Sequence, residues 1–234
     1  MKNKKGSHVG MVLSFTLFII FLIFVYTIVG SPIKTRRENE NIFRDIQEKI
    51  LDDVSEEIYV TRISNFELLT GEDCYEISNP ENDFSEINSI VIGQELDEEI
   101  GSTIEGDLTK INPSMGFIKI YYSETSFENT EEFNGTNCKL IGVDSIFKEE
   151  RILEKKIISL IEKMANNYSL LKEEFGIGGN VDFHLEFNYE NETKIGSSEF
   201  NEELKREVFA RSFYISYLDS HAREKTGRFL IRVW

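Results

Sequence analysis

Cysteine, proline and histidine are scarce in this 234-residue chain, which has two, three and three of them. Two widely separated cysteines cannot supply the paired C-x2-C spacing of a structural zinc site. Three prolines leave no proline-rich linker or stalk. The sequence also lacks H-E-x-x-H, C-x-x-C, a Walker lysine and a G-x-S-x-G elbow. These motifs therefore give no support to an enzyme, and we expect no catalytic residue and no cofactor.

Basic residues are outnumbered, with 26 Lys and Arg against 42 Asp and Glu. The first 30 residues contain three lysines and no acid, so the remainder carries 23 basic and 42 acidic side chains. This balance argues against nucleic acid as a partner, because nucleic acid requires a basic patch. The acids are dispersed and fit no D-x-[DN]-x-[DN]-G calcium loop. They indicate a solvated surface.

A long uncharged run covers residues 10–30. Twenty residues at a helical rise of about 1.5 Å per residue span roughly 30 Å, the thickness of the hydrocarbon core of a bilayer. A cleaved secretory signal has a shorter apolar core and a small-x-small cleavage site. The run therefore predicts a membrane helix whose partner is the lipid bilayer. The positive-inside rule places Lys2, Lys4 and Lys5 in the cytoplasm and residues 31–234 outside the cell membrane.

An exported location changes the interpretation of several residues. The two cysteines, Cys74 and Cys138, are a candidate disulfide, because an isolated pair outside the cytoplasm is more often bridged than free. Asn134, Asn167 and Asn191 each begin an N-x-[ST] sequence and are candidate N-glycosylation sites.

The hydrophobic pattern predicts an α+β fold in three parts. Residues 1–30 form a short cytoplasmic tail and a transmembrane helix, residues 31–58 a juxtamembrane helix, and residues 59–234 an exported acidic domain. Apolar residues recur every four positions over 35–58, which predicts an amphipathic helix that continues from the membrane span. The helix packs on its own domain or on a second copy.

The exported domain is predicted to be an antiparallel sheet with one long packed helix. A broad apolar face predicts that helix over residues 146–175. Acidic segments at 70–88 and 94–115 are predicted as loops. Strands are predicted at residues 58–69, 89–93, 117–122, 138–143, 181–189, 208–218 and 228–234. The last two flank a polar turn at 219–227 and predict a C-terminal β-hairpin.

Asp182, His184 and Glu186 form the best candidate for a metal or catalytic site. Their two-residue spacing places them on one face of a strand, about 7 Å apart. A metal would need further ligands, and only His8 and His221 remain as histidines. A solvent-facing strand surface is the favoured interpretation, because alternation of this kind is common in antiparallel sheets.

The amino terminus resembles archaeal type IV pilin-like precursors. The resemblance rests on residues 5–13, K-G-S-H-V-G-M-V-L, where a basic residue and a glycine precede a long apolar helix. It implies cleavage after Gly6 and packing of the apolar helix into a filament. Met11 departs from the pattern, because many pilins carry glutamate there. The opening S-H-V-G-M-x-L-S-F and the ending I-R-V-W are also similar to membrane-anchored exported proteins of small archaea, a likeness that brings no activity.

These features lead to an expectation of a single-pass membrane protein with a structural or interaction role at the cell envelope. One form of it is a pilin-like subunit that associates with copies of itself. A second is an anchored domain that binds another envelope protein. A third is an anchored enzyme that uses Asp182, His184 and Glu186.

Overall fold

The structure is a computed structural model, and it describes residues 6–63, 74–79, 88–93, 98–112, 117–123, 127, 133, 135–196 and 208–234. For residues 6–9, 28–39, 88–93 and 98 it describes the backbone alone. The chain divides into two compact units, Met1–Gln47 and Glu48–Trp234. The predicted residues Lys2, Lys4, Lys5 and Asn134 lie outside the described part of the chain.

The described residues form three helices and thirteen strands. The helices are α1 (Gly6–Val54), α2 (Glu154–Asn166) and α3 (Tyr168–Glu174). The strands are β1 (Ser55–Ile63), β2 (Cys74–Ser78), β3 (Asn88–Gly93), β4 (Glu98–Ile100), β5 (Ser102–Glu105), β6 (Leu108–Ile111), β7 (Ile118–Ser123), β8 (Cys138–Leu140), β9 (Ser145–Ile152), β10 (Phe183–Tyr189), β11 (Lys194–Gly196), β12 (Phe209–Leu218) and β13 (Glu224–Val233).

The first unit contains the apolar part of α1. Its segment Gly10–Thr27 has a mean hydropathy of 2.4, and none of it is buried. The segment is long and apolar enough to cross a membrane or to act as a signal sequence. In the described part of the chain it is the one helix of that kind. The predicted apolar N-terminal helix is therefore confirmed.

The second unit contains three sheets, in which most neighbouring strands are antiparallel. The first sheet has the order β4-β3-β7-β1-β9 and is antiparallel throughout. Ile63, Ile118, Ile120 and Tyr122 are buried on it. The second sheet has the order β5-β6-β2-β8, in which β2 and β8 are parallel. The α+β class with antiparallel sheets is thus confirmed.

The third sheet has the order β11-β10-β13-β12 and contains the last two strands of the chain. The strands β12 and β13 pair along their whole length, from Phe209 opposite Val233 to Leu218 opposite Glu224. They form the C-terminal hairpin, and its turn is shorter than the predicted 219–227. The helix α2 packs on β10 and β11, with Ile157, Leu160 and related side chains buried.

Several boundaries differ from the predicted ones. The helix predicted over 35–58 ends at Val54, because residues from Ser55 onward pair as β1 with β7 and β9. The first residues of the range 146–175, which is predicted to be helical, belong to the strand β9 instead. The charged residues of β9 resemble the polar face of a helix in the sequence. In the structure, Lys148 and Arg151 pair with Tyr59 and Glu56 of β1. The predicted loops at 70–88 and 94–115 contain β2, β4, β5 and β6.

Gly227 has a packing role in the third sheet that no other residue can fill. It is buried in β13, opposite Tyr189 and Ile215. A Cβ atom at this position would overlap the ring of Phe187. The ring therefore occupies the space that a side chain would take.

We expect Gly227→Ala to lower the free energy of unfolding by about 1–3 kcal/mol, because the added methyl group overpacks the sheet against Phe187. Gly178→Ala is the matched control, since a Cβ there meets no atom within 4 Å. The control should change stability by less than about 0.5 kcal/mol. Urea unfolding of both variants, followed by circular dichroism, measures the difference. Equal midpoints would contradict this role for Gly227.

Candidate functional site

The structure places the three residues of the sequence candidate in two separate groups. The Asp182 carboxylate accepts hydrogen bonds from Lys172 Nζ at 2.7 Å and from the Tyr168 hydroxyl at 3.0 Å, both on α3. The Glu186 carboxylate instead pairs with Arg232 of β13 at 3.2 Å and with Lys194 of β11 at 3.3 Å. The two carboxylates are therefore engaged with different elements of the fold.

His184 lies in the sheet between these two groups and is not solvent-facing. Only 6% of it is exposed. Burial lowers the pKa of His184, and the nearby Arg232 guanidinium lowers it further, so the neutral imidazole is favoured. Burial opposes ionisation of Glu186, but hydrogen bonds from Lys194 and Arg232 outweigh it and lower the pKa of that carboxyl.

No metal-binding arrangement is present in the described ranges. Among these residues no group of three or more His, Cys, Asp or Glu side chains could hold a metal ion. The partners of Asp182 and Glu186 are lysine, arginine and tyrosine, and cations of the chain already occupy the positions that a metal ion would take. The chemistry of this strand is that of ion pairs that join neighbouring elements.

The remaining predicted site residues lie apart from one another. Cys74 and Cys138 face each other on the parallel strands β2 and β8 and form a disulfide. Asn167 is exposed between α2 and α3, and Asn191 is exposed in the turn between β10 and β11. Gly6 is the first residue of α1.

A cleft that sequence analysis did not find lies at one end of the third sheet. Its volume is about 540 Å³, and it is open to solvent. The first turn of α2, the turn after β10 and the hairpin turn after β12 surround it. Its lining residues are Glu154, Tyr189, Glu190, Asn191, Tyr217, Asp219, Ser220, His221, Arg223 and Lys225.

The hairpin turn at the cleft is held by Asp219. One carboxylate oxygen accepts the backbone N–H groups of His221 and Arg223, each at 2.9 Å, and the other accepts Arg223 Nε at 2.9 Å. The Glu154 carboxylate of α2 accepts the backbone N–H of Ser220 at 3.3 Å. On the other side, His221 Nδ1 lies 3.4 Å from the Glu99 carboxylate of β4. The turn is thus tied to two further elements.

Two tyrosines line the cleft, and their rings meet edge to face. The ring centroids of Tyr189 and Tyr217 are 6.3 Å apart. Burial raises the pKa of Tyr217 to about 12, and the charges of Glu154, Asp219 and Glu190 add to this shift. Burial also raises the pKa of Tyr189, with the charge and hydrogen bond of Glu154 as further causes. Both hydroxyls therefore remain protonated and polar at neutral pH.

The cleft combines aromatic rings, protonated hydroxyls and carboxylates. Nothing in the local sequence around Glu154, Tyr189 or Tyr217 indicates their proximity. They come from α2, β10 and β12, and only the strand order of the third sheet brings them together. No protein-family model, curated protein or solved structure matches the chain.

Acidification should destabilise the fold through His184 and Glu186. Both have a lowered pKa in the folded state, so the unfolded chain binds more protons as the pH falls. The His184 contribution is lost below about pH 6.5, the ordinary pKa of histidine. The Glu186 contribution is lost below about pH 4.3, the ordinary pKa of glutamate.

His184→Gln should therefore flatten the decrease in stability between about pH 6.5 and 5.5, because glutamine does not titrate. Urea midpoints of the wild type and the variant at pH 7.5, 6.5 and 5.5 measure this slope. A variant that loses stability as steeply as the wild type would show that His184 does not contribute.

Proposed function

We propose that this chain is a single-pass membrane protein that holds an α+β domain at the outer face of the cell membrane, where it has a structural or interaction role. One observation carries the proposal: Gly10–Thr27 is helical and strongly apolar, and none of it is buried. Phe18, Ile20 and Phe21 each expose more than half of their surface. Each such side chain gains about 1.5–3 kcal/mol by leaving water, and a bilayer provides that environment.

The polar groups of the segment support a lipid environment. The Thr16 hydroxyl donates to the Val12 carbonyl and the Thr27 hydroxyl to the Phe24 carbonyl, both at 2.9 Å. Hydroxyls that bond within their own helix require no partner in lipid, where an unsatisfied polar group costs several kcal/mol.

Two further observations favour the outer face of the membrane. The lysines at positions 2, 4 and 5 precede the segment, and the positive-inside rule assigns them to the cytoplasm. The disulfide between Cys74 and Cys138 lies in the domain beyond the segment. Disulfides persist in oxidising compartments outside the cytoplasm.

The interaction role has two forms. In the pilin-like form, the chain is cut after Gly6 and its apolar helix packs against copies of itself. In the other form, the domain remains anchored and binds a partner, and the cleft at the hairpin turn favours this second form. An anchored enzyme has less support, because Asp182 and Glu186 are held in separate ion-pair groups.

Membrane retention should depend on the centre of the apolar segment. Phe18→Arg should release much of the protein from membranes. An arginine at the centre of a membrane helix raises the free energy of insertion by about 2.5–3.5 kcal/mol. Phe18→Leu is the matched control and should remain in the membrane. The measurement is the fraction of full-length protein that stays in the pellet after alkaline carbonate extraction. Wild-type protein that is released quantitatively would overturn the proposal.

Two further measurements test the orientation of the domain and distinguish the pilin-like form from the anchored binding domain. We expect protease added to intact cells to digest the folded domain, because it lies outside. The intact mass of the protein isolated from its native membrane then reports its first residue. Loss of residues 1–6 together with self-crosslinking supports the pilin-like form, whereas retention of those residues as a monomer supports the anchored binding domain. A domain that is protected in intact cells but digested in lysed cells would contradict the outer-face location.

A further inference from the structure

We propose that the cleft binds an organic ammonium group, such as a lysine side chain or a free amino terminus, between the carboxylates of Glu154 and Glu190 and beside the ring and hydroxyl of Tyr217. This goes beyond the membrane anchor, and it holds whichever way the domain faces. The ligand chemistry follows from the charges, the aromatic rings and the hydroxyl that line the cleft.

The negative charge of the cleft is only partly neutralised by the chain itself. Arg223 is engaged with Asp219, at 2.9 Å. Glu154 accepts neutral donors, one of which is the backbone N–H of Ser220. Within the described part of the chain, Glu190 has no ion-pair or hydrogen-bond partner. The remaining cation of the lining, Lys225, is exposed.

The electrostatic field inside the cleft has the sign that a cation requires. Both tyrosine hydroxyls feel the charge of Glu154, and the Tyr217 hydroxyl also feels Asp219 and Glu190. All of these charges raise the pKa values of the two tyrosines. Three carboxylates line the cleft against two basic side chains, and this excess of negative charge attracts cations.

Tyr217 supplies a largely buried side chain whose hydroxyl is accessible from the cleft. Only 5% of the residue is exposed, and it lines the cleft. No group in the described ranges hydrogen-bonds to its hydroxyl. Its oxygen accepts an ammonium N–H, and its ring provides a face for a cation.

An organic cation fits the cleft better than a metal ion. The described residues contain no cluster that could hold a metal. The cleft volume of about 540 Å³ is far larger than an ammonium group alone. The rings of Tyr189 and Tyr217 offer apolar surface to the methylene groups of a longer ligand, as aromatic side chains do in ligand pockets.

The test is a calorimetric titration of the full chain in detergent micelles. The probe is Nα-acetyl-lysine methylamide, and the matched control ligand is its Nε-acetylated form, which has no charge. We expect saturable binding of the amine and at least about tenfold weaker binding of the neutral form, the factor for loss of a charged hydrogen bond. Equal binding of the two would overturn the proposal, as would binding of a neutral oligosaccharide in preference to both.

Cleft variants then test the position of the ligand. Glu190→Gln and Tyr217→Phe should each weaken binding severalfold, and Lys225→Met should strengthen it by removing a like charge. Glu162→Gln on the exposed side of α2 is the control and should leave binding unchanged. Glu190 is exposed and makes no hydrogen bond or ion pair with the described residues, so we expect its variant to keep its fold. Weakening by Glu162→Gln equal to that by Glu190→Gln would mean that net charge, not the cleft, attracts the amine.

Two sources of the ammonium group are distinguished by further titrations. Cadaverine represents a free diamine, and a tripeptide with a central lysine represents the side chain of a protein partner. Tighter binding of the tripeptide indicates a protein partner, and tighter binding of cadaverine indicates a small amine. Absence of binding by both, with the domain still folded and retained in membranes, would overturn this inference and leave the membrane anchor intact.

Discussion

The packing of Phe187 over Gly227 is the contact on which the third sheet depends. The ring fills the space left by the missing side chain. From there it contacts Phe229 at 4.9 Å, Tyr189 at 5.1 Å and Tyr217 at 5.6 Å between centroids. Aromatic pairs at these separations add about 0.5–1.5 kcal/mol each beyond the burial of their area. The same contacts place the two tyrosines side by side at the end of the sheet, so the cleft is a consequence of the core.

The other face of β10 is held by charge, and the second sheet by a covalent bond. Glu186 pairs with Arg232 and Lys194 and so joins β10 to both of its neighbours. The second sheet has short strands, and its parallel pair is closed by the Cys74–Cys138 disulfide across 64 residues. Closing a loop of that length stabilises a fold by about 4 kcal/mol in the chain-entropy model. The second and third sheets thus depend on different kinds of interaction.

Sequence analysis identified the elements whose hydrophobic pattern reflects a single kind of surroundings along their whole length. The apolar run at 10–30 is recognised by its continuous hydrophobicity, and the C-terminal hairpin by the alternation of apolar and polar residues. The sequence of β9 predicts a helix instead of a strand, because at the edge of a sheet charged residues replace the alternation of apolar and polar residues. The cleft was not predictable, because Glu154 and Tyr217 are distant in sequence and meet only through the strand order.

The hairpin turn reduces the effect that Arg223, one of the two basic side chains at the cleft, has on the neighbouring carboxylates. Asp219 binds Arg223 twice, through its backbone and its side chain, so that cation is committed to the shape of the turn. The charges of Glu154 and Glu190 are left to act on Tyr217. A single ammonium contact is weak, but a domain tethered at a membrane meets tethered partners at high effective concentration. Under the two proposals, the helix supplies proximity and the cleft selects the charge.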